Sequence, residues 1–198
     1  LLLWASILTM VVGILGAVAQ SDVKRVLSFT LVSHIGYMLF GIALATELGT
    51  TGAVFYIAHH ITVQTTLFLV AGLIEYRAGT TNLDRLGGLA RLAPILAIMF
   101  FVPAMNLAGI PPFSGFLGKL ALMEAGIADD AGLATLGVVA AVVTSLLTLY
   151  AIAKIWNRAF WQPKGEDSPD VAQVETGTWT PAGSLHGTRG VGTKTQRS

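Results

Sequence analysis

The sequence places its ionisable side chains where they should not be idle. Lys119 closes the run LAGIPPFSGFLGK (107–119), and the stretch from Leu92 to Gly118 before it carries no formal charge. A lysine at the centre of a membrane span costs about 2.5–3.5 kcal/mol, and such residues usually face the bundle interior. An amine held there can lose and regain a proton, which is the chemistry of a proton carrier. His60 stands in the equally uncharged run FYIAHHITVQTTLFLVAG, with Tyr56 four residues before it and Gln64 four after. Residues spaced by four share one helix face. The three form a polar stripe on an apolar helix, and such a stripe should face other helices rather than lipid. Histidine changes charge near neutral pH and can relay protons. His59 points about 100° away on a helix, from the 3.6-residue turn, and is the weaker candidate. His34 lies ten residues past Lys24, about 15 Å along a helix, at a depth where it could pair with His60. Two blander readings stand beside these: Lys119, near Glu124, could snorkel to the interface, and each histidine could only hydrogen-bond a neighbouring helix.

The elements that carry these residues must span a membrane. Of 198 residues, 54% are hydrophobic and only 12% charged, against about 25% charged in soluble domains. Five segments reach the roughly 20 apolar residues of a span: 1–19, 26–46, 53–74, 92–125 and 131–153. A large soluble helical core is disfavoured, because its helices would need polar faces. The fourth segment is too long for one straight span, and Pro111 and Pro112 lack backbone donors and clash with the preceding turn. Gly109 and Gly115 loosen the same place. The segment is therefore expected as two half-helices, 92–107 and 113–125, with a short unwound stretch between them. Broken helices at membrane depth persist where protein or water satisfies the freed backbone, and they recur at transporter sites.

Charge orders the loops. Asp22 to Arg25, the Arg77–Arg85–Arg91 connector and the Lys154–Arg158–Lys164 segment are basic, whereas the connectors at Glu47 and at Asp129-Asp130 hold no Lys or Arg. Basic loops stay cytoplasmic. This places the Leu1 end outside and the tail inside, in a multi-pass protein of a bacterial-type inner (plasma) membrane. Trp156, Phe160 and Trp161 mark the interface after the fifth segment. The tail 162–198 is rich in Gly, Thr, Pro and Ser, without apolar periodicity, and is expected to be disordered. The chain begins with Leu1 and without a basic leader, so residues 1–19 read as a span of a chain whose beginning is missing.

Several functions are excluded or unsupported. The net charge of +1 calls for no nucleic acid. There is no cysteine for a thiolate metal site, and His59 and His60 diverge on a helix, so no metal or other cofactor is expected. No nucleophile stands with a base, so an enzyme with its site in the bilayer is an open reading without a visible centre. The polar residues Thr144, Ser145, Thr148 and Tyr150 of the fifth segment read as packing contacts between helices.

The runs AQSDVKRVLSFTLVSHIGYM, FYIAHHITVQTTLFLVAGLIE and LAGIPPFSGFLGK resemble the antiporter-like membrane subunits. These are the proton-pumping subunits of respiratory complex I and the large subunits of Mrp-type sodium/proton antiporters. AHHITVQTTLFLVAG followed by LDRLGGLAR is most similar to the D-type subunits of the Mrp antiporters. The resemblance covers residues 1–161 and implies an all-α membrane domain corresponding to the second of two inverted repeats, each with a broken helix. It implies that Lys119 is the terminal proton site of a half-channel and that His60 belongs to the central proton wire. It also implies partner subunits, and transport of protons and of sodium or another monovalent cation. Gln64 stands where many relatives have lysine; glutamine can hydrogen-bond a water chain but cannot hold a proton in transit. The family's glutamate–lysine pair belongs to the first half, so this piece is not expected to transport alone. The rival reading within the resemblance is a membrane subunit of NADH:quinone oxidoreductase or a related membrane hydrogenase.

Overall fold

The structure is a computed structural model and describes residues 1–129 and 131–163; the disorder expected of the tail falls almost wholly on 164–198, outside them. Among the described residues the chain is all-helical apart from one isolated bridge. Its helices are α1 (Leu2–Ala19), α2 (Val23–Ala43), α3 (Glu47–Ala78), α4 (Leu89–Leu92), α5 (Pro94–Ala108), α6 (Ser114–Ile127) and α7 (Gly132–Ile155), which runs into a π-helical turn, Trp156–Trp161. Four are long and apolar enough to cross a membrane, the last counted through Trp161, and α5 is a shorter apolar helix. With α5 and α6 as the two halves of one broken span, this is the expected five-span architecture. The outer faces carry Leu8, Val12, Leu69, Ile98, Val142 and Leu146 exposed. Such apolar outer faces suit the interior of a membrane, against lipid or other helices.

The helix ends follow local chemistry more closely than hydropathy. Asp22 caps α2, its Oδ1 accepting from Arg25 N at 3.1 Å, a cap worth about 1 kcal/mol. Helix α2 therefore begins three residues before its apolar run. The other carboxylate oxygen accepts from Thr81 Oγ1 at 2.5 Å. Val23 N donates to Thr81 O at 3.0 Å and Leu83 N to Ser21 O at 2.8 Å. One aspartate thus ties the α1–α2 turn to the loop after α3. At the other end α2 stops at Ala43, because Ala45 turns left-handed (φ 53) and Thr46 caps α3, accepting from Gly49 N at 3.0 Å. Helix α3 has 32 residues, about 48 Å at 1.5 Å per residue. It extends well beyond the apolar core 53–74, since a helix does not end where its hydrophobicity does.

Helices α1 and α2 pack almost backbone to backbone. A methyl at Gly13 would lie 2.7 Å from Ser33 Cα, and one at Gly36 would lie 2.6 Å from Met10 N. Small residues permit this approach in membrane bundles, and Ser33 Oγ seals it by donating to Met10 O at 2.8 Å.

The fourth segment is broken where the prolines put it. Helix α5 starts at Pro94, the residue before a proline being driven out of the α region, as Ala93 is (φ −142, ψ 73). It tolerates Pro103 in its interior and ends at Gly109, which is left-handed with φ 80. Residues 109–113 are unwound, the Pro111–Pro112 bond being cis, and α6 begins at Ser114. Gly115 differs from its expected part. It lies in the first turn of α6, and it serves close approach rather than loosening the chain: its Cα faces the Asn106 carbonyl of α5.

Candidate functional site

The broken helix builds the site. Because α6 starts immediately after the unwound stretch, Lys119 falls in its second turn and points back across the break. Lys119 is 3% exposed. Its ammonium donates to Leu107 O at 3.2 Å and Ala108 O at 3.1 Å. These carbonyls belong to the last turn of α5, which has no following turn to bond them. The side chain therefore turns inward and does not snorkel. Gly109 makes room for it: a methyl there would sit 3.0 Å from Lys119 Cδ. The start of α6 is held from the other side by Asn106, whose Oδ1 accepts from Gly115 N at 2.9 Å.

Helices α2 and α3 supply the rest. Lys119 Nζ stands 5.3 Å from the centre of the Tyr37 ring, within cation–π range. Tyr56 Oη lies 2.7 Å from His34 Nδ1, and the His34 and His60 rings are 4.8 Å apart between centres. Tyr37, His34, Tyr56 and His60 thus form one buried ring cluster, the helix-to-helix histidine pairing that the positions of His34 and His60 suggested. Gln64 continues the line, its amide donating to Leu27 O at 2.8 Å. Three buried atoms, His34 Nε2, His60 Nε2 and Gln64 Oε1, have no hydrogen-bond partner among the described residues. Buried polar atoms nearly always have one. A lateral groove of about 440 Å³ between α2 and α3 is lined by His60 and Gln64 along with Leu31, Thr65 and Phe68, so both residues border a space that water or another helix can enter. His59 sits at the edge of this cluster: its ring centre is 5.9 Å from that of Tyr56, and its Nδ1 lies 3.1 Å from Ser114 Oγ, next to the helix break.

Two contributions were underread in the sequence. Tyr37 is fully buried and its hydroxyl reaches α7, 2.7 Å from Thr144 Oγ1 and 3.0 Å from Ser145 Oγ. Its spacing of three from His34 puts both on one face, which was the available signal. Thr144 and Ser145 do join helices as expected, but they do so by hydrogen-bonding the tyrosine beside Lys119. Asn106 lay inside an apolar run and carried no such signal. Among the described residues no group of three or more His, Cys, Asp or Glu could hold a metal.

Residues 1–148 match the family model described as NADH:quinone oxidoreductase/Mrp antiporter, transmembrane. The chain is 47% identical over 154 residues to the D subunit of the Na(+)/H(+) antiporter of Alkalihalophilus pseudofirmus, covering 78% of this chain and 31% of that protein. It is 35% identical over 182 residues to the protein of the same name from Bacillus subtilis, covering 92% and 36%. The fold is similar to a chain of the Mrp complex from a Dietzia species, with a TM-score of 0.76, 39% identity, and 88% and 36% of the two chains covered. It is also similar to a chain of respiratory complex I from Thermus thermophilus, with a TM-score of 0.72, 29% identity, and 89% and 37% covered. The chain spans about a third of the length of the curated relatives it matches. On the extent of the family match and of the identity, this chain belongs to the NADH:quinone oxidoreductase/Mrp antiporter membrane-subunit family.

Proposed function

We propose that this chain is the second-half membrane domain (residues 1–161) of a proton-translocating subunit in a multisubunit sodium (cation)/proton antiporter, working with the other subunits of that assembly. The observation that carries the reading is Lys119 buried at a helix break, beside an aromatic and histidine cluster that leads away from it along α2 and α3. Lys119 is the protonatable station. His60 and His34 pass protons to and from it through water that satisfies their free ring nitrogens, and Tyr56 holds His34 in place. Gln64 orders the water chain without holding a proton. The likeness to two proteins named as D subunits of Na(+)/H(+) antiporters supports the antiporter over a redox-driven pump.

The test is sodium-driven proton movement in inverted vesicles that contain the complete assembly. A sodium pulse should collapse a preformed pH gradient without NADH. His60→Gln, with the assembly intact, should slow that response on the order of 10²-fold, the usual loss when a positioned proton-transfer group is removed. A response of native rate in His60→Gln would remove the histidine from the path. Acidification that requires NADH, with no response to sodium, would instead make this a membrane subunit of NADH:quinone oxidoreductase.

The orientation is proposed from charge. Lys24, Lys154 and Arg158 gather at one end of the bundle: Lys24 pairs with Glu75 at the end of α3, Arg158 with Asp84 at 2.7 Å, and Lys154 donates to Val18 O and Gln20 O at the end of α1. That end is cytoplasmic by the basic-loop rule, with Glu47 outside. These 198 residues hold no cysteine, so with cysteines elsewhere in the assembly replaced, a single introduced thiol reports on its own position. In whole cells Glu47→Cys should react with an impermeant maleimide and Arg85→Cys should not; the reverse pattern would invert the assignment.

A further inference from the structure

We propose that the end of the bundle around Trp161 is a binding site for the phosphate headgroup of an anionic membrane lipid. Trp161 is 75% exposed and lines two grooves. One, of about 540 Å³, is lined by Arg91 and Leu92. The other, of about 600 Å³, is lined by Tyr150, Lys154, Trp156 and Arg158. The π-helical turn carries Trp156, Arg158 and Trp161 together, and Gly88 N anchors it by donating to Gln162 O at 2.7 Å.

The cations retain unused donors. Lys154 gives two N–H groups to Val18 O and Gln20 O, and an ammonium has three. Arg158 gives Nη1 to Asp84 Oδ1 at 2.7 Å, and a guanidinium has five donors. Arg91 makes no ion pair among the described residues. Among the described residues Asp84 is the one carboxylate paired with any of the three cations, and it holds only Arg158, so the grooves carry a positive excess that suits a phosphate monoanion. The lipid, rather than free phosphate, follows from what adjoins the grooves. Leu92, Ile95 and Ile98 are exposed along α5 and the turn before it and offer an acyl chain a continuous apolar track. Tryptophan and tyrosine belong at headgroup level, and basic pockets between spanning helices at the cytoplasmic surface bind anionic headgroups. The inference rests on the membrane setting and the proposed cytoplasmic placement of this end, not on the transport reading.

The test uses the complete assembly, delipidated in detergent and mixed with dioleoyl phosphatidylglycerol or with dioleoyl phosphatidylcholine. Retained lipid is counted by native mass spectrometry. Native protein should retain phosphatidylglycerol in preference. Arg91→Gln and Arg158→Gln should each lower that retention about fivefold, the weight of one arginine near an anionic surface, and should leave phosphatidylcholine unchanged. Asp84→Asn, which frees Arg158, should hold or raise retention. Unchanged phosphatidylglycerol in both arginine variants would overturn the proposal. So would equal losses in Asp84→Asn and Arg158→Gln, since that marks an ion pair acting only in folding. Displacement of the lipid by millimolar inorganic phosphate would assign the grooves to a free anion instead. If Arg158→Gln fails to assemble, Arg91→Gln, which breaks no ion pair, decides the comparison.

Discussion

Gly115→Ala is expected to remove most of the folded protein from the membrane. The added methyl would collide with the Asn106 carbonyl oxygen, and it would stand 3.0 Å from both the Asn106 carbonyl carbon and His59 Nε2. The obstacle is backbone on the far side of the helix break, so no rotamer change relieves it. Gly115 N also donates to Asn106 Oδ1 at 2.9 Å, and moving α6 away would break that bond. Overpacking of this kind costs about 3 kcal/mol, the upper part of its usual range, a large share of a marginal stability. The check is the amount of detergent-stable assembly recovered and its melting temperature. Gly132→Ala is the control: it meets nothing within 4 Å and should leave both unchanged. Native yield and melting temperature in Gly115→Ala would show that α5 and α6 are not packed as described.

How much of this was legible in the sequence depended on whether the cause was local. The spans, the break at Pro111 and Pro112 and the inward-facing Tyr56–His60–Gln64 stripe were legible, because periodicity, missing donors and the cost of buried charge act within a few residues. Element ends were not read as well. Asp22 extends α2 and Thr46 curtails it through caps, and the single turn of α4 exists because Pro94 forbids α geometry at Ala93. What could not be read was contact between distant segments. Asn106 gave no sign that it would cap α6 across the break. The bonds from Tyr37 to Thr144 and Ser145 join residues more than 100 positions apart. Lys154, which charge alone would make a loop marker, closes the end of α1 by donating to its free carbonyls.

Lys119→Met should abolish ion exchange while sparing the fold. Methionine keeps much of the length and the apolar stem but carries no proton. A buried ammonium carries a desolvation penalty of several kcal/mol, which methionine does not incur. That relief offsets the loss of donors to Leu107 O and Ala108 O, about 1–3 kcal/mol for each buried acceptor left unsatisfied. A lysine that served only to tie α5 to α6 would therefore show its loss in stability. A lysine that carries protons shows it in transport. The expected result is assembly at near-native abundance, with sodium-driven proton movement reduced on the order of 10²-fold or more, as for removal of a positioned proton-transfer group.

The most direct measurement is thus the initial rate of sodium-induced pH change in inverted vesicles, comparing the native complete assembly with Lys119→Met at matched abundance. Loss of the response in the variant, with its melting temperature kept, is the result expected of a proton station at Lys119. A native rate in Lys119→Met would contradict it and leave the buried cluster a scaffold.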